Sequence, residues 1–143
     1  MQEPLPQQWR DFFDEIAAHG PLVRRTAEWI CLGWPAEKPE QTVQVTCLKL
    51  RDRWWLFLTA DVCPADVAPT REALELATKL LVGSVVIQRG VLGLRHVFLD
   101  NAFTRPVFWE TVEALRNNAI RFRQRLLPAK DAAALGLFKY VID

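Results

Sequence analysis

The stretch from Thr104 to Leu127 most tightly constrains how this chain can fold. Phe108, Val112, Leu115, Ala119, Phe122 and Leu126 recur at spacings of four and three, which sets them in one stripe of an α-helix. Thr104 is placed to cap its first turn. Pro106 is tolerated there because that turn has no N–H partner to lose, and Pro128 stops the run. Burying the seam contributes roughly 9–18 kcal/mol, at about 1.5–3 per side chain. Ordering some two dozen backbone residues costs about 1–2 kcal/mol each. The helix therefore requires a platform, and the rest of the chain must supply it.

Composition limits the kind of platform. Half of the 143 residues are hydrophobic and the formal net charge is +1, so the chain is neither disordered nor drawn as a whole to polyanions. Met1 to Pro6 shows no basic region followed by an apolar core, so no secretory signal is expected. No apolar run reaches the roughly 20 residues of a membrane span. Cys31, Cys47 and Cys63 form no CxxC pair, which suits a reducing compartment. The expectation is a cytoplasmic protein that does not engage a membrane.

In chain order, Gln7 to His19 reads as a helix with Trp9, Phe12, Phe13 and Ile16 on one side, stopped by Gly20-Pro21. Leu22 to Trp34 reads as one extended stretch, and Pro35 to Glu40 as a loop. Thr42 to Leu50 alternates through Val43, Val45 and Cys47, then changes phase to Leu48 and Leu50, which predicts a bulge near Cys47. Arg51-Asp52 turns into a strand in which Trp54, Leu56 and Leu58 oppose Trp55 and Phe57. Apolar residues on both faces predict that both are covered. Asp61 to Pro69 reads as a loop. Thr70 is a plausible cap for a helix over Arg71 to Val82, with Leu74, Ala77, Leu80 and Leu81 inward and Gly83 just past its end. Ser84 to Gln88 and Val91 to Leu99 form a hairpin around Arg89-Gly90. The fold class expected is α+β, a mostly antiparallel five-stranded sheet in the order α-β-β-β-α-β-β-α packed by the terminal helices. One domain is expected over residues 1–143, with its core at about 7–127 and a tail at 128–143.

Ala73 to Ala77, leading through Leu81-Val82-Gly83-Ser84 to the run Val85 to His96, resembles the YbjN-like proteins, whose fold is close to that of the class I chaperones of type III secretion. The shared pattern is a helix ending in Gly, a hairpin whose second strand ends Leu-Arg-His, and a long amphipathic helix. The strict likeness covers about residues 70 to 126. It implies a homodimeric, non-enzymatic protein that binds another protein.

The residues offer little catalytic chemistry. His96, with Asp100 as the nearest acid in sequence, reads as a hydrogen-bonded structural histidine rather than a base. Two histidines and three scattered cysteines show no metal-ligand spacing. Cys63, flanked by Asp61 and Asp66 in a loop, lacks an adjacent activating cation but is expected to be the most reactive thiol. No catalytic, cofactor or metal residue is expected, and the chain reads as not an enzyme.

Six tryptophans and the cluster Arg116, Arg121, Arg123 and Arg125 remain. Aromatic and arginine side chains together serve both single-strand nucleic-acid binding and protein interfaces. Trp54 and Trp55 sit among apolar neighbours, and arginines suit the end of a helix through its dipole. On a helical wheel Trp109, Arg116, Ile120, Arg123 and Leu127 fall together beside the seam, as a stripe for binding a client protein through an acidic flexible segment. Leu74, Leu81, Val86 and Val91 are expected in a homodimer interface. The leading expectation is a dimeric adaptor or chaperone-like protein. The alternative is a single-stranded nucleic-acid-binding module, or an adaptor acting on a single-stranded-DNA-binding or repair protein.

Overall fold

Thr104 starts the long helix in the computed structural model, which describes residues 4–34, 41–99 and 102–127. Its hydroxyl accepts the Val107 N–H at 3.3 Å, and the helix, Arg105–Leu126, buries the whole expected seam. It lies across a six-stranded, fully antiparallel sheet, chiefly over two central strands. The strands are β1 (Leu22–Arg25), β2 (Trp29–Gly33), β3 (Thr42–Leu50), β4 (Arg53–Pro64), β5 (Ser84–Gln88) and β6 (Val91–Leu99), in the spatial order β1-β2-β3-β4-β6-β5. A first helix, α1 (Gln7–His19), packs beside the start of the long one, α3, with Phe12 edge-on to Phe108 at 5.1 Å. A short helix, α2 (Thr70–Ala77), precedes β5. This is an α+β fold with an antiparallel sheet packed by helices.

The sheet has six strands rather than five because Leu22 to Trp34 folds back on itself. The Thr26 hydroxyl accepts the N–H groups of Glu28 and Trp29, both at 3.2 Å, and this tight turn pairs Arg25 with Ile30. The β3–β4 and β5–β6 turns place both central residues at positive φ, Arg51 (53°) with Asp52 (63°), and Arg89 (54°) with Gly90 (75°). These are the primed turns whose twist suits a two-residue hairpin.

No bulge occurs at Cys47; the β3–β4 register runs unbroken from Gln44↔Thr59 to Leu50↔Arg53. Leu48 and Leu50 simply continue the alternation onto the other face of the sheet. The bulge lies in β4 instead, between Asp61 and Cys63, where the expected loop is strand. The second helix also ends early. The Thr78 hydroxyl donates to the Glu75 carbonyl at 2.7 Å, and the next N–H groups bond three residues back, which winds the chain out of the α-helix. Ala73, not Leu74, is its buried residue; Leu74 is 60% and Leu81 99% exposed. Gly83 is needed here for two reasons, its φ of +86° and a closeness to Leu115 that leaves no room for a Cβ. The predicted loop at 35–40, Asp100 and the tail at 128–143 lie outside the described residues.

Candidate functional site

The stripe expected to bind a client does not face solvent. Trp109 is half-buried, edge-on to Phe108 at 5.0 Å and so close to Gly20 that a Cβ there would collide with its ring. Arg116 is 8% exposed, with its guanidinium 5.0 Å over the Trp34 ring. Arg123 is 5% exposed and donates from Nε to the Val62 carbonyl at 2.8 Å and from Nη2 to the Asp61 carbonyl at 2.9 Å. Ile120 is half-buried and Leu127 buried. The correction has a plain cause: α3 presents a wide arc to the sheet and α1, and its arginines tolerate burial because a ring and two backbone carbonyls receive their charge. Solvent meets Glu110, Glu113, Arg121 and Arg125 instead.

The candidate surface lies on the opposite side of the sheet. Buried strand residues such as Ile30, Val45, Leu58 and Leu94 all point toward the helices. Residues between them point away, and no helix among the described residues covers that side. Register fixes them in lateral rows. Leu48, Trp55 and Leu99 form one; Trp29, Thr46, Phe57 and Val97 the next; Cys31, Gln44, Thr59, Arg95 and Ser84 a third; Asp61, Gly93 and Val86 a fourth. The face is thus graded, aromatic and aliphatic at one end and polar or charged at the other. Trp29, Leu48, Trp55, Phe57 and Val86 are all half-buried, neither packed away nor fully solvated.

A depression of about 460 Å³ runs over these rows, lined by Trp29, Thr46, Phe57, Thr59, Asp61 and Arg95 among others. Gly93, opposite Asp61, adds no side chain to its floor; a Cβ there would stand 3.0 Å from the Ala60 carbonyl. Two arginines lie over aromatic rings on this face, Arg24 at 5.8 Å from Trp29 and Arg95 at 5.5 Å from Phe57. Asp61 is an exposed residue, yet partial desolvation raises the pKa of its carboxyl, with Arg123 pulling the other way.

The residues expected at a dimer interface fall into separate places. Leu81 and Val86 line one shallow depression beside β5, Val86 and Val91 line the groove above, and Leu74 lines neither. The depression beside β5 also contains His96, whose Nδ1 accepts the Gly83 N–H at 3.3 Å and whose pKa is lowered by burial. Burial raises the thiols of Cys31 and Cys63, away from the thiolate a nucleophile needs. Cys63, expected to be the most reactive, is buried at the end of β4, whereas Cys31 is only half-buried. Among the described residues no three His, Cys, Asp or Glu side chains group as a metal site, and no helix is long and apolar enough to cross a membrane.

No protein family, curated protein or solved structure matches the chain.

Proposed function

We propose that the protein is a non-catalytic, homodimeric adaptor of the cytoplasm that binds a segment of a client protein on the helix-free face of its sheet. One observation carries this reading. Both terminal helices pack on the same side, and the other side keeps Leu48 and Trp55, and Trp29 and Phe57, half-exposed in two adjoining rows. A contiguous apolar surface of this kind marks an interaction site in a chain of ordinary charge. The resemblance of residues 70 to 126 to the YbjN-like proteins points the same way, and so does the unfavourable setting of the thiols for chemistry.

The test is site-specific photocrosslinking in the native cytoplasm. A photoreactive amino acid replacing Phe57 should capture a recurrent polypeptide that the same group at Glu113, on the solvent side of α3, does not. Purified client should then bind the wild-type protein in isothermal titration. Equal capture at the two positions, or a captured protein that does not bind in titration, tells against the face as the site.

A further inference from the structure

The chemistry of the helix-free face narrows what it can take, granted the client-binding reading above. Arg95 and Arg24 lie over Phe57 and Trp29, and among the described residues neither pairs with a carboxylate. Stacking uses the flat face of a guanidinium and leaves its in-plane N–H groups available to an acceptor. Each arginine is also held against a ring, so less side-chain entropy is lost when an acid docks.

The apolar partners stand beside them. Trp29 and Phe57 flank Thr46 across three neighbouring strands, which separates the two rings by about 10 Å, room for one inserted side chain. The Arg95 guanidinium stands over one of these two rings, 5.5 Å from the Phe57 centroid, so an acceptor that it binds lies next to a side chain seated between them. The geometry points to a ligand that is a polypeptide segment carrying an apolar or aromatic side chain and, close beside it, a carboxylate for Arg95.

A single nucleic-acid strand fits the same face less well. Its phosphates need a continuous basic track, whereas Asp61 sits within the groove beside Gln44, Thr46 and Thr59. A discrete carboxylate meets Arg95 without crossing that acid.

The test is fluorescence anisotropy with a labelled twelve-residue Gly/Ser peptide carrying Leu-Ser-Phe-Ser-Asp at its centre. Its probes for comparison are the same peptide with Asp replaced by Asn, one with Leu and Phe replaced by Ser, and an oligothymidylate. The acidic peptide should bind at least tenfold tighter than the Asn peptide. Arg95→Glu should abolish that difference, Arg95→Lys should keep part of it, and thermal melts of both variants should match wild type. Equal binding of the Asp and Asn peptides overturns the acid preference and leaves the client-binding face standing. No binding of any peptide overturns both. Tighter binding of the oligothymidylate assigns the face to nucleic acid, and binding sites that disappear as protein concentration rises assign it to a second copy.

Discussion

Arg123 holds the sheet where its register slips. At the bulge between Asp61 and Cys63 its guanidinium donates to the carbonyls of Asp61 and Val62, and the Gln41 side chain adds a second donor to Asp61 at 2.9 Å. Arg123→Met keeps most of the volume and removes the donors. It should lower stability by about 2–4 kcal/mol in urea unfolding, as expected when buried acceptors lose charged partners. Arg123→Lys should recover part of the loss, because one ammonium cannot span both carbonyls as the fork does. The sequence showed an arginine beside an apolar seam, and its separation from Arg116 by two helical turns put both on one face. What it could not show is that carbonyls some sixty residues earlier would be waiting for it. Trp109 was equally ambiguous, since the packing of an aromatic ring against Gly20 is fixed only by how α1 and α3 meet.

At the scale of elements, periodicity was a good guide wherever one face is covered. α1, α3 and the two primed hairpins follow directly from spacing and turn position. It misled where apolar residues occupy an uncovered face: Leu48 and Leu50 looked like a phase change, and Leu74 and Leu81 looked like core. The junction between α2 and β5 depends on a contact that no local pattern encodes, the Gly83 N–H donated to Nδ1 of His96. Burial lowers the pKa of this ring below 6.5, so the folded state binds fewer protons than the unfolded one. The stability it contributes is complete above about pH 6.5 and is lost as pH falls through the folded pKa. Asp61, raised above 3.8, acts in the opposite sense, its contribution falling as pH rises through its own folded pKa. The comparison must therefore be between variants. Between pH 7.5 and 5.5, wild type should lose more of its urea midpoint than His96→Gln, and exchange at the Gly83 amide should accelerate beyond the intrinsic pH effect. Equal losses in the two proteins would show that the ring is not the titrating group.

For the whole molecule, the two ends of the sheet differ in a way that bears on assembly. Edge strand β1 carries Arg24 and Arg25, charges of the kind that discourage strand addition. Edge strand β5 reads Ser-Val-Val-Ile-Gln, with no charge and no proline, and among the described residues it ends the sheet with one side of its backbone unpaired. Exposed apolar residues gather at that end, Leu81 before β5 and Ile87 within it at 66% exposure, with Leu74 on the helix that precedes them. A second copy adding through β5 would pair the open backbone and cover these side chains while leaving the helix-free face open to a client. Light scattering at micromolar concentration should therefore report a dimer. Ile87→Lys combined with Leu81→Asp should give a monomer that melts cooperatively and still binds the acidic peptide. A dimer that survives both changes would move the interface elsewhere. A monomer that folds but no longer binds the peptide would mean that the binding face is completed by the partner copy.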